Sequence, residues 1–321
     1  MKRWSPFFRM LPAMLVLECG VAGAVGYVLP AAGNDLIGEV QLAKASRSET
    51  LLDIARIHDT GQEEIQLANP GVDRWLPAEG DPVLIPSHYI LPDAPRRGLV
   101  LNLPEMRIYA FRPASGKTPA MVDTYPVSIG RMDWKTPLGS ARIVRKQRNP
   151  SWHPPKSVKQ EAAAEGETVP DVVPPGPDNP LGTRALRLSI PGYLIHGTNK
   201  PYGVGMRVTH GCVRLLPEDI EQLFDRVTVG TPVHIVNQPV KTGWQDGVLY
   251  VEVHPPLDED SRAQEDRLRF TLERVYAELQ KHPAVLDGRA LRRAAEEMHG
   301  VPVAVSRPGV QGRAISNPVF K

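Results

Sequence analysis

Cysteine is nearly absent from this chain, which has only two among its 321 residues, Cys19 and Cys212. Aromatic residues make up 6% of the sequence, so the core of a folded domain must rest on valine, leucine and isoleucine. An excess of charge is missing too, since 38 lysines and arginines face 36 aspartates and glutamates and leave a net charge of +2. This balance gives no sign of the basic patch that nucleic-acid-binding proteins carry, and no nucleic-acid partner is expected.

The N-terminus has an apolar run, residues 10–17, that follows three basic residues and ends at Glu18. It is well short of the ~20 apolar residues that a membrane-spanning helix needs. Ala22 and Ala24 then provide the small side chains of an A-x-A-like cleavage site. The pattern predicts a signal peptide, residues 1–24, and a periplasmic protein; a retained membrane anchor is the alternative.

Removal of that peptide takes Cys19 with it and leaves Cys212 as the one thiol of the exported chain. A disulfide within the chain is then impossible. An unpaired cysteine in an oxidising compartment is either an intermolecular partner or a reactive thiol.

Residues 38–87 have the pattern of a small module of strand, helix, helix and strand. The first helix lies in "SETLLDIARIH", where Ser48 or Thr50 can cap a helix whose apolar residues recur at helical spacing. The second lies in "GQEEIQLANPGV" and must end before Pro70, which cannot continue it. The stretches "EVQLAKA" and "DPVLIP" supply the two strands of this βααβ order.

The module resembles the LysM domain of cell-wall proteins. Its "SETL", "LANPGV" and "GDPVLIP" are similar to the family's "GDTL" turn, "NP" turn and closing "G-x-x-L-x-IP", although Ser48 and Glu49 stand where the family has Gly and Asp. The resemblance implies that the module binds the glycan strands of peptidoglycan. A structural spacer without affinity for sugar is the alternative.

The pattern changes to alternating strands in residues 96–238, beginning with a hairpin that turns at Pro104 and Glu105. The proline-rich segment 147–181 interrupts the strands, and a loop of that length inside a domain favours a lid or one wall of a cleft. A short helix is predicted to start near Pro217. Residues 239–308 then read as a C-terminal extension of a strand followed by helices, and residues 309–321 as a disordered tail.

A helical face is predicted within that extension. Leu268, Leu272, Val275 and Leu279 recur at helical spacing before Pro283, which ends the helix.

The stretch "VTHGCVRL" surrounds Cys212 with residues that suit nucleophilic chemistry. A thiol attacks as its thiolate, and therefore needs a base within reach. His196 ends an apolar run sixteen residues earlier, and His210 lies two residues before the cysteine. Gly211 permits a tight turn whose amide groups can form an oxyanion hole. A zinc site from His196, His210 and Cys212 is conceivable, but no C-x-x-C or H-E-x-x-H pattern accompanies it, so no metal or cofactor is expected.

The segment "HGTNKPYGVGMRVTHGCVRL" resembles the signature of the L,D-transpeptidase catalytic domain, the YkuD family, which has a histidine, a variable stretch and [S/T]-H-G-C-x-[R/N]. His196 matches the leading histidine. The rest of the motif matches Thr209, His210, Gly211, Cys212 and Arg214. "WKTPLGSARI" is similar to the family's "TP-x-G-x-F" turn, with Ala141 where an aromatic residue is common.

The resemblance implies a mainly β catalytic domain, a YkuD-type β-sandwich with a short helix after the cysteine. To this fold the sequence adds the βααβ LysM-like domain and the C-terminal helices. The order of the three parts resembles the lipoprotein-anchoring group of the family.

The resemblance also implies a reaction. Cys212, deprotonated by His196, would attack the diaminopimelate carbonyl of a peptidoglycan tetrapeptide, release D-Ala and form a thioester. An amine then takes the acyl group, either the lysine of an outer-membrane lipoprotein or a second diaminopimelate. Alternatives are a hydrolase of the same bonds and an inactive peptidoglycan-binding protein.

Supporting roles follow from the same resemblance. Thr209, His210 and Gly211 are expected to support the motif or the oxyanion hole, and Arg214 to hold the motif or a substrate carboxylate. Residues expected to contact the substrate are Gly197, Thr198 and Trp152.

Overall fold

A computed structural model describes residues 26–307 of the chain. The predicted signal peptide and the predicted tail, residues 309–321, lie outside the described residues. Within the described part of the chain, none of the helices has both the length and the apolar character that crossing a membrane requires.

The described part of the chain contains seven α-helices, twenty strands and two short 3-10 helices, Met132–Trp134 and Pro201–Gly203. The helices are α1 Leu51–Ile57, α2 Gln62–Ala68, α3 Lys156–Ala164, α4 Pro217–Arg226, α5 Ser261–Glu265, α6 Arg267–Lys281 and α7 Gly288–Glu297. The first ten strands are β1 Gly26–Val28, β2 Leu36–Gly38, β3 Gln41–Lys44, β4 Pro82–Ile85, β5 His88–Ile90, β6 Gly98–Asn102, β7 Arg107–Arg112, β8 Met121–Pro126, β9 Ile129–Gly130 and β10 Gly139–Arg148. The remaining strands are β11 Arg184–Leu188, β12 Leu194–His196, β13 Arg207–Thr209, β14 Val213–Arg214, β15 Pro232–Val236, β16 Val240–Gln245, β17 Val248–Val253, β18 Val285–Leu286, β19 Val303–Ala304 and β20 Ser306–Arg307.

A nine-stranded sheet forms the centre of the molecule, in the order β1-β8-β7-β6-β15-β10-β11-β12-β14. The predicted hairpin through Pro104 and Glu105 is confirmed, because β6 and β7 pair antiparallel on either side of it. Strand β15 joins the two halves of the sheet, since it pairs parallel with β6 and antiparallel with β10. The prediction of a mainly β domain with a short helix after the cysteine is likewise confirmed, that helix being α4.

The sheet curls around one main core. Leu99 and Ile108 from one half share this core with Leu186 and Ile195 from the other, and with Ile220 of α4. Residues so far apart in the strand order can meet only if the sheet bends back on itself. The sequence predicts a sandwich of two sheets. In the structure, nine strands hydrogen-bond into a single curled sheet, and α4 packs against its core.

The module that separates β1 from the other strands of the sheet has the predicted order of strand, helix, helix and strand, with β3 and β4 paired antiparallel. Thr50 caps α1 and forms a capping box with Asp53. The buried Asn69 follows α2, where its side-chain amide donates to the Ile65 and Leu84 carbonyls at 2.8 Å each and accepts from the Leu84 amide at 2.7 Å. The amide thereby ties α2 to the closing strand. The likeness of this βααβ unit to LysM remains a prediction.

The βααβ unit is seated on the sheet through a buried ion pair. Arg107 of β7 is 1% exposed, and its guanidinium lies 2.7 Å from a carboxylate oxygen of Glu64 in α2. The same guanidinium donates to Thr124 Oγ1 at 3.0 Å and to the Asp59 carbonyl at 3.1 Å. Buried charges that are paired and hydrogen-bonded in this way fix the relative position of the two elements.

The C-terminal extension differs from its prediction in two respects. It begins with a hairpin of two strands, β16 and β17, where the sequence pattern predicts a single strand. On α6, Leu272 is 41% exposed and the neighbouring Thr271 is fully buried. The predicted apolar face is therefore wrong at this turn of the helix, where Thr271 and not Leu272 faces the core. Thr271 tolerates burial because its hydroxyl donates to the Arg267 carbonyl at 2.8 Å.

Candidate active site

Cys212 lies in the turn between two short strands, β13, which pairs with β9, and β14, which is the edge strand of the curled sheet. Gly211 has φ +97°, a conformation that L side chains rarely adopt, and a Cβ there would come within 2.9 Å of Tyr193 Cε1. Thr209 closes the turn, because its Oγ1 donates to the Cys212 carbonyl at 2.5 Å. The residues around the thiol are therefore held by backbone geometry as well as by side chains.

His196 is the last residue of β12, which pairs parallel with β14 and thereby lies beside the strand that follows Cys212. The ring is buried, and its Nδ1 lies 2.6 Å from the Gly197 carbonyl oxygen. A carbonyl oxygen only accepts, so Nδ1 carries the hydrogen in this arrangement. Nε2 is then the nitrogen with a free lone pair, the form that a general base requires.

Burial sets the resting charge of both groups. Burial, together with the nearby charge of Arg214, lowers the pKa of His196 to about 4. Burial raises the pKa of the Cys212 thiol, while a hydrogen bond from the Leu194 amide and the charge of Arg214 act against that rise. At neutral pH the site therefore holds a neutral imidazole and a neutral thiol, whose Sγ lies 3.9 Å from the Gly192 carbonyl oxygen.

A cavity of about 310 Å³ contains both groups. The predicted residues that line it are Trp152, His196, Thr209, His210, Cys212 and Arg214. Gly197 and Thr198 are not among the described residues that line it. Gly197 packs against α4, where a Cβ would lie 2.9 Å from Ile220 Cγ2, and Thr198 Oγ1 accepts from the Lys200 amide at 2.9 Å. A larger concavity of about 900 Å³ lies against α7, but no residue of the cysteine motif lines it.

The proline-rich segment 147–181 forms one wall of this cavity, as its length and position predicted. Asn179, which is 1% exposed, holds the wall in shape. Its Nδ2 donates to the carbonyls of Pro150, Val173 and Pro174 at 2.8, 3.2 and 3.1 Å, and its Oδ1 accepts from the Leu181 amide at 2.9 Å. One side chain thus ties together both ends of the segment.

Helix α3 lies within the wall and was not expected from the sequence. Glu161 of this helix accepts from His210 Nε2 at 2.6 Å and also pairs with Arg131. The His210 ring packs edge-on against Trp134, with 5.4 Å between the ring centres. His210 therefore joins the cysteine turn to the wall. Arg131 and His210 together lower the pKa of Glu161, which keeps that carboxylate ionised. No motif in the sequence singles out Glu161.

The βααβ unit reaches the loop that leads from His196 to Cys212. The amides of Gln62 and Glu63, at the start of α2, donate to the carbonyls of Val204 and Gly205 at 3.2 and 3.1 Å. Gly205 has φ +87°, and a Cβ there would come within 2.2 Å of the Gln62 nitrogen. The loop before the cysteine motif is therefore packed directly on the unit.

A thiol and a histidine with a free Nε2 that line one cleft are the groups that a thiol-dependent enzyme uses. The family model for the L,D-transpeptidase catalytic domain, YkuD, matches residues 96–235. Probable L,D-transpeptidase YcfS of Escherichia coli K12 is 36% identical over 98% of this chain and 98% of its own length. Probable L,D-transpeptidase YbiS of the same strain is 39% identical over 90% of this chain and 94% of its own length.

These relatives show that the chain belongs to the L,D-transpeptidase family, and it is an L,D-transpeptidase enzyme. Among solved structures, L,D-transpeptidase 3 from Mycobacterium tuberculosis is similar over 65% of this chain and 97% of that one, with 17% identity and a TM-score of 0.32. That likeness is weak, and the assignment rests on the relatives in sequence.

Proposed function

We propose that this chain is a periplasmic transpeptidase of peptidoglycan in which Cys212 is the nucleophile and His196 the base. One observation carries the proposal. The free thiol and a buried imidazole, whose Nδ1 is occupied by the Gly197 carbonyl, open into the same cavity. The bond to Gly197 selects the tautomer in which Nε2 can take a proton.

In the first half of the reaction, His196 Nε2 accepts the thiol proton as Cys212 Sγ attacks the carbonyl between diaminopimelate and the terminal D-Ala. Since both groups rest uncharged, the proton moves during the attack, and the buried site does not have to stabilise a standing thiolate. The tetrahedral intermediate then collapses, the imidazolium returns its proton to the D-Ala amine, and D-Ala leaves. The acyl group remains on Sγ as a thioester.

In the second half, an acceptor amine attacks the thioester and gives a proton to His196 Nε2. The new amide forms, and the imidazolium protonates the departing Sγ. We propose the lysine of an outer-membrane lipoprotein as this acceptor, since the order of βααβ unit, catalytic domain and C-terminal extension resembles the anchoring group. The amine of a second diaminopimelate is the alternative.

Arg214 and the cysteine turn are proposed to stabilise the charge that develops. The Arg214 guanidinium lines the cavity, and its charge favours the anionic form of the thiol. Thr209 holds the Cys212 carbonyl, which keeps the amides of the turn in a fixed orientation for an oxyanion.

The βααβ unit is proposed to bind the glycan strands that carry the stem peptides. Its contact with the loop at Val204 and Gly205 supports this proposal, because a strand held by the unit keeps its stem peptides near the cleft.

Cell-wall composition tests the proposal. The chain, or its Cys212→Ala variant, is expressed in a bacterium that lacks its own L,D-transpeptidases, and the walls are digested with a muramidase. We expect fragments in which diaminopimelate is joined to a lipoprotein lysine, and only with the active chain. Fragments cross-linked between two diaminopimelates would identify the other acceptor. Tripeptides without new links would show a hydrolase, and identical walls from both chains would contradict an enzymatic role.

A further inference from the structure

Two arginines stand directly opposite one another inside the cleft. Arg145 of β10 and Arg187 of β11 are register partners on adjacent strands, and both line the cavity that holds Cys212. Like charges placed opposite each other on one face of a sheet repel and destabilise the pairing. A fold that keeps such a pair needs a compensating reason.

A bulge in β10 creates the pair. Ile143 lies opposite Leu188, but Arg145 lies opposite Arg187, so one strand has an extra residue, Val144. If the regular register continued without a bulge, Val144 would stand opposite Arg187, and Arg145 would stand opposite Leu186, which is buried in the main core. The bulge therefore turns Arg145 from the core to the cleft, as bulges beside active sites commonly re-aim a side chain.

Neither guanidinium has an ion-pair or hydrogen-bond partner among the described residues. On the opposite face of the same strands the arginines are paired, Arg148 with Asp225 at 2.9 Å and Arg184 with Glu221 at 3.8 Å. Among the described residues that line the cleft there is no aspartate or glutamate, and Arg214 adds a further positive charge. The cleft is therefore positive and lacks a counter-charge of its own.

The pair lies close to the reacting groups. Arg187 is opposite Leu194 of β12, two residues before His196. Since a strand rises about 3.3 Å per residue, this row of the sheet is about 7 Å from the His196 row. That offset corresponds to roughly two residues of an extended peptide, which spans ~3.5 Å per residue.

We propose that Arg145 and Arg187 bind the carboxylates of the acyl donor that flank the attacked carbonyl, and so select stem peptides with free acids. The proposal rests on the peptide-donor chemistry proposed above. A guanidinium is suited to this role, because its planar fork presents two donors to one carboxylate. The two residues determine specificity and do not take part in proton transfer.

The test compares two synthetic tetrapeptide donors, one with free carboxylates and one with the same groups amidated. Initial rates of D-Ala release are measured for the wild type, Arg145→Gln, Arg187→Gln and Arg148→Gln. Arg148→Gln is the matched control, since it removes a charge from the same strand on the opposite face. All three side chains are exposed, and thermal unfolding checks that the variants fold.

We expect each cleft variant to raise KM for the free-acid donor about tenfold, the effect of losing one hydrogen bond to a charged group. KM for the amidated donor should stay unchanged, kcat should change little, and Arg187→Lys should recover part of the loss. Equal KM values for the three variants, or equal losses with both donors, would overturn the role proposed for the two arginines. Neither result would contradict the proposed transpeptidase function. If the wild type forms no acyl-enzyme with either donor, the proposed function fails as well.

Discussion

At the scale of single residues, one backbone carbonyl decides the chemistry available to the site. The Gly197 oxygen occupies Nδ1 of His196 and so leaves Nε2 as the basic nitrogen. The ring is also buried, and burial keeps the imidazole neutral at pH values well below the ordinary histidine pKa of 6.5. The proposed base is thus a buried neutral histidine, whose burial makes the stability of the fold depend on pH.

His196 should make the fold sensitive to acid. Its pKa is about 4 in the folded chain, against 6.5 for an unperturbed histidine, so the unfolded chain binds the extra proton between these values. Stability is therefore complete above pH ~6.5 and is lost as pH falls towards about 4, by up to about 3 kcal/mol.

Urea unfolding of the wild type and His196→Gln between pH 4 and pH 7 measures this contribution. The wild type should lose more stability on acidification than the variant, since other titrating groups are common to both. Parallel curves for the two proteins would show that His196 is not buried as a neutral group.

At the scale of elements, the wall of the cleft depends on Asn179. Asn179→Ala removes four hydrogen bonds around the segment 147–181, and we expect a loss of about 2 kcal/mol because buried carbonyls lose their donor. Hydrogen exchange should rise within this segment, and kcat/KM should fall. Unchanged protection of the segment would mean that its prolines hold the wall without Asn179.

The contact between the βααβ unit and the catalytic loop depends on Gly205. Gly205→Ala places a Cβ within 2.2 Å of the Gln62 nitrogen at φ +87°, and the conformation alone costs about 1–2 kcal/mol. Gly203→Ala is the matched control in the same loop, since a Cβ there meets nothing within 4 Å. Urea unfolding and hydrogen exchange of α2 should distinguish the two variants; equal behaviour would contradict the contact.

The sequence predicts those elements whose signals are local. Thr50 was one of two expected caps of α1, and the structure selects it through Asp53 three residues later. The hairpin of β16 and β17 was missed although Asp246 and Gly247 form its turn, a dipeptide typical of two-residue hairpins. The predicted apolar face of α6 is wrong because Thr271 is buried there. Its hydroxyl bonds to a carbonyl of the same helix, and a hydropathy pattern does not show such a bond.

The candidate site was predictable to the extent that its residues belong to one contiguous motif. Cys212 and His196 were expected there, and the structure places both at one cavity. Glu161, Arg145 and Arg187 were not, because a long loop brings Glu161 to His210 and a one-residue bulge brings the arginine pair to the cleft. The positions of a bulge and of a loop are set by tertiary packing and leave no periodic signal in the sequence.

At the scale of the whole molecule, buried charges connect regions that the sequence divides into separate domains. Lys241 of the C-terminal extension lies 2.9 Å from Glu105 in the catalytic sheet and 2.7 Å from Glu252, and it donates to the Ile90 carbonyl at 2.7 Å. Arg107 of the sheet connects the βααβ unit in the same way, through its buried ion pair with Glu64. Because a buried charge left without its partner is strongly destabilising, the three regions should unfold together.

Arg107→Met tests this connection. Removing the cation leaves Glu64 buried without its partner, and we expect a loss of about 3–5 kcal/mol in one cooperative transition. Arg148→Met, which removes an exposed ion pair, should cost no more than about 1 kcal/mol. Denaturant unfolding followed by fluorescence and by circular dichroism measures both values. A separate transition of the βααβ unit in the wild type would contradict a single cooperative molecule.

The most direct test of the central claim is the intact mass of the protein after mixing with a tetrapeptide donor and no acceptor amine. We predict an adduct equal to the donor less D-Ala, located on Cys212 by peptide mapping. It should be absent from Cys212→Ala and formed at least a hundredfold more slowly in His196→Gln, within the typical range for loss of a general base. An adduct on another residue, or an unchanged rate in His196→Gln, would contradict the roles proposed for the thiol and the imidazole.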